Sequence, residues 1–216
     1  MRLQNPLLEI ASDSDAAVLK QLAQTRVPMT ARQISDLAPA VSLSSIRRSL
    51  DRLNASGLLI EEHLGPTRGF TFNRAHLLAD HVEAIVKAGA ELQRRIAASV
   101  EQWGLPIIGV VLFGSAARGE MTPDSDIDLL VLVSDEGHTD AVESRVDELV
   151  EQIHAWTGTT ANVIAFNADT SISETFRQNL LNDARVIYGD AGKVMGALRG
   201  MSGAEKLVAR AQELLS

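Results

Sequence analysis

Two apolar runs, residues 107–113 and 127–133, constrain the fold of this chain more than any other feature of its sequence. Each run has the length of a buried strand and contains at most one charged residue. The first run leads into Gly114-Ser115, where glycine allows close backbone approach, and free N–H groups with a hydroxyl suit phosphate oxygens. The pattern predicts a sheet with a phosphate-binding turn at one strand end.

Two aspartates, Asp126 and Asp128, open the second apolar run. Because side chains alternate along a strand, their i, i+2 spacing places both carboxylates on one sheet face, while Ile127 and Leu129 face the other way. No basic residue neighbours the pair in the sequence. Paired carboxylates of this kind favour Mg²⁺, which accepts carboxylates together with substrate phosphates. The pattern therefore predicts a Mg²⁺ site.

A Gly-Ser pair, ten residues and then Asp-x-Asp resembles the signature of the DNA polymerase beta superfamily of nucleotidyltransferases, particularly the minimal nucleotidyltransferases. The Ala-Arg-Gly after Ser115 and the Ser-Asp-Ile-Asp-Leu-Leu-Val block strengthen the resemblance. It implies that Gly114 and Ser115 hold the triphosphate of an NTP and that the two aspartates bind Mg²⁺. It also implies that Arg118 supports the phosphate loop or its charge, although an ion pair with Glu120 or Asp124 explains this arginine equally well.

The family usually supplies a third carboxylate from a following strand, and here the sequence departs from that pattern. The predicted strand over 159–166 has Asn162 where the carboxylate is expected. Asparagine ligates a cation through its carbonyl oxygen but cannot take a proton. Asp169 or Glu174 would be replacements, although a surface loop and a helix N-terminus account for both residues equally well. The predicted catalytic residues are therefore Asp126, Asp128, Ser115 and Asn162.

The N-terminal residues 1–75 have the pattern of three helices followed by a hairpin. Periodicity predicts helices over 15–24 and 31–38 and a third that opens at Ser42 and ends at Gly57. Two short strand-like segments follow, joined by turn residues. The run from Thr30 onward resembles the winged helix-turn-helix regions of small bacterial regulators, which implies a DNA-binding domain.

In such a domain the third helix enters a DNA major groove and the hairpin touches the backbone. The predicted DNA-contacting residues are Ser44, Ser45, Arg47, Arg48 and Arg68. Arginine suits both base edges and phosphates. Because the module has only a small excess of positive charge, its affinity should depend on dimerisation and fall with salt. The alternative is that this module packs against a partner protein or only dimerises, with its arginines forming a solvated face.

Three further segments complete the predicted organisation. Residues 76–104 keep an apolar helical stripe and predict one long linker helix. Residues 105–190 form the predicted nucleotidyltransferase domain, and residues 191–216 form a helical tail whose 203–215 stretch suits packing or self-association. The predicted fold class is α+β, with a winged helix that is mostly α with a β-hairpin wing, the long linker helix, and a polymerase-beta-like nucleotidyltransferase fold with a mixed sheet.

Composition excludes several other classes of protein. The 216 residues are 45% hydrophobic and 22% charged, unlike disordered, collagenous or coiled-coil chains. The absence of cysteine removes disulfide scaffolds, cysteine zinc sites, iron–sulfur clusters and thiol catalysis. The apolar runs are far shorter than the roughly 18 residues of a membrane helix, and the N-terminus lacks a signal-peptide core. The expectation is a cytoplasmic protein without a membrane partner.

Three functional hypotheses remain open at this point. The first is a Mg²⁺-dependent enzyme that transfers a nucleoside monophosphate from an NTP to a hydroxyl of a toxin protein, a tRNA or a small molecule. The second is a DNA-binding regulator, whose degenerate nucleotidyltransferase domain senses NTP without turnover. The third is a protein-interaction module that binds neither ligand. A homodimer is expected, because a twofold dimer is the commonest arrangement for a winged helix.

Overall fold

The chain folds into two compact units, each with its own hydrophobic core. The computed structural model describes residues 1–134, 140–167, 170 and 172–201. The first unit is formed mainly by Gln4–Gly89, and the second mainly by Ala90 and the residues that follow. None of the described helices is long and apolar enough to cross a bilayer.

Four helices build most of the first unit. They are α1 (Asp13–Gln24), α2 (Ala31–Leu37), α3 (Leu43–Ala55) and α4 (Ala79–Val86), after a short 3-10 helix at Pro6–Glu9. Hydroxyl side chains cap the first three helices, because each accepts a hydrogen bond from a backbone N–H in the first turn. The capping residues are Ser12, Thr30 and Ser42. At α2, Gln33 completes a capping box by accepting from the Thr30 backbone N–H at 2.8 Å.

A small antiparallel sheet completes this unit. Its strands are β1 (Met29–Thr30), β2 (Leu59–Leu64) and β3 (Thr67–Phe72), in the order β1-β3-β2. A two-residue turn joins β2 to β3, and Gly65 supplies the positive φ of 64° that it needs. Phe70 and Phe72 of β3 share the core with the apolar face of α3. Three helices followed by a hairpin are present in the predicted order.

The prediction of one long linker helix over 76–104 is wrong. Helix α4 ends at Val86, and a separate helix α5 (Ala88–Glu101) follows Lys87. The prediction was wrong because the apolar residues of this continuous stripe pack into two different cores. Val82 packs in the first core, whereas Leu92 and Ile96 pack in the second. Gly89, with its low helix propensity, lies at the boundary between the two units.

A mixed four-stranded sheet forms the centre of the second unit. Its strands β4 (Ile107–Phe113), β5 (Ile127–Val133), β6 (Ala161–Asn167) and β7 (Arg185–Gly189) lie in the order β6-β5-β4-β7. The strands β5 and β6 are parallel, and the other pairs are antiparallel. The described helices that follow α5 in this unit are α6 (Gly114–Arg118), α7 (Asp140–Thr157), α8 (Glu174–Asp183) and α9 (Ala191–Gly200). The predicted mixed sheet is confirmed. The predicted tail helix over 203–215 lies outside the described residues.

Both faces of the central strand β5 are buried. Ile127, Leu129 and Val131 lie in a core with residues of α5 and α7. Leu130 and Leu132 point the other way, into a core with residues of α8 and α9. This double burial explains why β5 is a nearly continuous apolar run. Burying the charged side chains of Asp126 and Asp128 at the start of this strand therefore destabilises the fold unless the carboxylates have partners.

Close packing of β4 requires glycine at position 109. Gly109 lies opposite Gly189 of β7, and an added Cβ would overlap Val194 Cγ2 and lie 2.7 Å from the Tyr188 carbonyl oxygen. We expect Gly109→Ala to lower the free energy of unfolding by about 2 kcal/mol, because the backbone and the buried valine must both shift. Urea unfolding followed by circular dichroism measures this change.

Gly196→Ala is the matched control. Gly196 lies on the exposed face of α9, and an added Cβ meets nothing within 4 Å. The same substitution should here raise the free energy of unfolding by about 0.5–1 kcal/mol through better helix propensity. Similar effects of the two alanines would contradict the close approach of α9 to β4.

Candidate functional site

The two aspartates lie where β5 begins. Asp126 and Asp128 are half-buried, whereas Ile127 between them and Leu129 after them are fully buried. This alternation places both carboxylates on the sheet face that continues into the core with α8 and α9, as their spacing predicts. The backbone N–H of Ile127 donates to the Thr160 carbonyl at 2.9 Å, which ties the start of β5 to the segment before β6.

Gly114 lies against the second aspartate. Phe113, the last residue of β4, pairs with Asp128, and Gly114 then adopts a φ of 67°. An added Cβ at position 114 would lie 2.5 Å from Asp128 Oδ2. The turn and the carboxylate are thus packed as one surface, and only glycine fits both the backbone conformation and the space. Ser115 follows, half-buried in the first turn of α6.

Asn162 joins the two aspartates. In the parallel pairing of β5 and β6 it lies directly beside Asp128. Its Nδ2 donates to Asp126 Oδ2 at 3.3 Å and to Asp128 Oδ1 at 3.2 Å. We call these two hydrogen bonds the amide bridge. The structure therefore brings together the three side chains that the sequence singles out on β5 and β6.

The donors at this site fit a hard divalent cation. The two carboxylates are oxygen ligands, which Mg²⁺ accepts alongside phosphates, whereas Asn162 turns the nitrogen of its amide toward them. Gly114 lets the turn approach Asp128 more closely than any residue with a side chain would allow. The described residues contain no group of three or more His, Cys, Asp or Glu side chains placed to hold a metal. Any cation here would depend on the two aspartates and on ligands that the substrate brings.

Arg118 is bound to two carboxylates. Its Nε donates to Glu120 Oε2 at 2.7 Å and its Nη1 to Asp183 Oδ2 at 2.8 Å. Glu120 and Asp183 raise the pKa of Arg118 above its usual value. Of the two sequence candidates for its ion pair, the structure shows Glu120; the other observed partner is Asp183, on α8. The guanidinium links α6 to α8, and its role at a phosphate stays a prediction.

An open cleft of about 540 Å³ borders Asp128 and Asn162. Phe113 and Phe176 line it, with ring centroids 5.7 Å apart in an edge-to-face arrangement. Sequence reasoning missed this aromatic pair, because the two residues come from distant segments. The only signal was an aromatic residue immediately before Gly114.

Asp169 and Glu174 are the two candidates to replace the third carboxylate. Asp169 lies outside the described residues. Glu174, at the start of α8, accepts hydrogen bonds from Arg177 at 2.6 and 2.9 Å and from Gln178 at 2.7 Å. These contacts within α8 hold its carboxylate, so its use as a base stays a prediction.

Four of the five predicted DNA-contacting residues lie on α3, and the fifth, Arg68, lies on β3. Ser44, Arg47 and Arg48 are exposed on α3. Ser45 is half-buried, and its Oγ accepts from Arg48 Nη2 at 3.3 Å. Within the described part of the chain, neither arginine forms an ion pair with a carboxylate. This face of α3 therefore offers two cations to an anionic partner.

Arg68 on β3 differs from those two arginines. It forms ion pairs with Glu61 at 2.7 Å and with Asp51 of α3 at 2.8 Å. Glu61 and Asp51 raise the pKa of Arg68, and the arginine in turn lowers the pKa of Glu61. A DNA phosphate would have to compete with both carboxylates, so the contacts of Arg68 explain the position of the hairpin more directly than a role in binding.

Part of the second unit matches a known domain family. Residues 93–181 match the family model of the nucleotidyltransferase domain. The matched segment runs from α5 into α8 and contains the Gly-Ser turn, both aspartates and Asn162. The resemblance seen in the sequence is thus supported over this segment.

Among curated proteins, the chain is similar to two bifunctional uridylyltransferase/uridylyl-removing enzymes. It is 30% identical to that of Burkholderia lata over 124 residues, which are 55% of this chain and 14% of the relative. It is 32% identical to that of Burkholderia vietnamiensis over 92 residues, which are 40% of this chain and 10% of the relative. The chain thus spans only a small part of these relatives.

Among solved structures, similar chains come from toxin–antitoxin complexes. One is a toxin–antitoxin with AMP-PNP, at 20% identity and a TM-score of 0.41, covering 57% of this chain and 94% of that chain. Another is the tri-AMPylated HEPN toxin of Shewanella oneidensis in complex with MNT antitoxin, at 18% identity and a TM-score of 0.39, covering 58% and 94%. Scores of this size do not establish a shared activity.

Proposed function

We propose that the second unit transfers a nucleoside monophosphate from an NTP to a hydroxyl acceptor, with release of pyrophosphate. One observation carries the proposal: Gly114, Asp126, Asp128 and Asn162 meet at one sheet edge, inside the segment that matches the nucleotidyltransferase domain. The acceptor is a protein such as a toxin, a tRNA or a small molecule. The tri-AMPylated toxin in one neighbouring structure makes a protein acceptor a candidate, whereas the tRNA and the small molecule come only from the family resemblance.

Each residue has a distinct part in this proposal. Gly114 and Ser115 would hold the triphosphate through backbone N–H groups and the hydroxyl. Asp126 and Asp128 would hold Mg²⁺, which when bound neutralises phosphate charge and activates a hydroxyl. The acceptor oxygen bonds to the α-phosphorus as the bond to the bridging oxygen of the pyrophosphate breaks. Asn162 cannot take the acceptor's proton, which passes to an aspartate or to water.

The second candidate function is an NTP sensor without turnover. The observation that favours it is Asn162 itself, because a base at this position would need a carboxylate. In this case NTP binding would have to differ in strength between two conformations in order to change DNA affinity. Both candidates share the nucleotide site and differ in turnover alone.

Label transfer separates the two candidates. The chain is incubated with host lysate, Mg²⁺ and each of the four NTPs, labelled at either the α- or the γ-phosphate. We expect label from one α-labelled NTP to enter an acceptor, none from its γ-labelled form, and none with excess chelator. Nucleotide binding without transfer would favour the sensor, and neither binding nor transfer would contradict both.

We also propose that the first unit is a winged helix that binds DNA, in a homodimer. Three capped helices followed by a hairpin, with Arg47 and Arg48 exposed on the third helix, support this proposal. In the winged-helix arrangement the third helix occupies the major groove. Arg68 is kept in the proposed surface as a hairpin residue whose carboxylate partners reduce its contribution.

Removal of the two free cations tests the DNA surface. We expect Arg47→Ala with Arg48→Ala to weaken binding to a labelled mixed-sequence duplex at least about tenfold at low salt. The slope of log affinity against log salt should fall by about 2, since each phosphate contact contributes about one. Fluorescence anisotropy over a salt series measures both.

The control removes the same charge elsewhere. Arg94→Ala with Arg145→Ala deletes two arginines of the second unit that pair with Glu91 and Glu148, and it should leave the salt slope nearly unchanged. An equal loss in both double variants would show a general charge effect and would contradict the placement of DNA on α3.

A further inference from the structure

We infer that Asn162 competes with the cation, because the hydrogen bonds of its amide bridge partly offset the repulsion between the two aspartates when no cation is bound. The consequence is that a free divalent cation binds weakly and enters the site mainly as the complex with a nucleotide. The amide bridge follows from the observed contacts alone. Only the last step, in which the cation enters the site bound to a nucleotide, rests on the proposed function.

The contacts around the pair support a stabilising role for the amide. Two carboxylates on one strand face repel each other in a half-buried setting. Asn162 Nδ2 lies 3.3 Å from Asp126 Oδ2 and 3.2 Å from Asp128 Oδ1, and it has two N–H groups to donate. Within the part of the chain that the structure describes, no Lys, Arg or His forms an ion pair with either aspartate. The amide therefore supplies the positive pole that a cation would otherwise supply.

The orientation of the amide follows from the same charges. If the side chain were turned over, its oxygen would face two carboxylates and both hydrogen bonds would be lost. To act as a cation ligand, Asn162 has to make this turn, because only Oδ1 can bind a metal. A cation thus gains one neutral ligand and breaks two charge-assisted hydrogen bonds. We conclude that the bridge opposes the binding of a free cation.

Substitutions at position 162 distinguish a competitor from an ordinary ligand. Asn162→Ala removes the bridge and a potential ligand, and we expect it to tighten Mn²⁺ binding by about fivefold, the equivalent of one hydrogen bond of ordinary net strength. Asn162→Asp adds a third carboxylate in register with Asp128 and should tighten binding at least about 20-fold. Electron paramagnetic resonance of free Mn²⁺ in a titration without nucleotide measures the affinities.

Asn167→Ala is the control, because it makes the same change at the opposite end of β6, and it should leave Mn²⁺ affinity unchanged. Weaker binding by Asn162→Ala than by the native chain would assign Asn162 as a simple ligand and would overturn the inference. If Asn162→Asp does not fold, the alanine variant still shows whether loss of the amide strengthens or weakens Mn²⁺ binding. Label transfer enters none of these measurements, so a failure of the proposed function would leave the bridge standing.

Discussion

The double variant Asp126→Asn, Asp128→Asn is expected to lose at least about 1,000-fold of the label transfer that the native chain performs. Both substitutions keep the shape of the side chain and remove its charge. The variant then lacks both carboxylates that the proposal assigns to the cation, and the charge of the triphosphate stays uncompensated during transfer. Initial rates with the most active α-labelled NTP measure the loss.

Folding of this variant is expected to be intact, because each new amide still offers an oxygen to Asn162 Nδ2 and the repulsion between two carboxylates disappears. Its melting temperature should equal or exceed that of the native chain. Asp147→Asn removes one charge from the α7 side of the same cleft and should keep most of the transfer activity. Native-level transfer by the double variant would place the chemistry elsewhere in the chain.

The local parts of the site were predictable from the sequence because they depend on spacing along one strand. Alternation over 126–129 placed both aspartates on one face, and the structure agrees. The same holds for α3, where apolar residues at three- and four-residue steps face the core. Short-range periodicity decides such faces, whatever the rest of the chain does.

The features of the site that the sequence did not predict all depend on contacts between distant segments. The partner of Arg118 on α8, the Phe113–Phe176 pair and the amide bridge each require the strand order and register of the folded sheet. The break at Lys87 was missed for a related reason, since a helical stripe does not tell which core each turn faces. The position of Asn162 beside Asp126 and Asp128 was predicted from the family resemblance and not from periodicity.

Replacing Gly114 by alanine is expected to reduce Mg²⁺-dependent NTP affinity at least about 100-fold. The added Cβ would lie 2.5 Å from Asp128 Oδ2, so the carboxylate or the turn has to move by a substantial fraction of an ångström. Displacements of about 1 Å are enough to cost two orders of magnitude where several groups must converge on one ligand. Titration with each NTP by calorimetry, with and without Mg²⁺, measures the effect.

Gly158→Ala separates this contact from backbone strain. Gly158 has the same φ of 67°, but its added Cβ meets nothing within 4 Å. Both variants should therefore lose about 1–2 kcal/mol of stability through the left-handed backbone conformation, and only Gly114→Ala should lose nucleotide affinity. If the two alanines weaken NTP binding equally, strain alone accounts for the loss, and the packing of Gly114 against Asp128 has no part in holding the nucleotide.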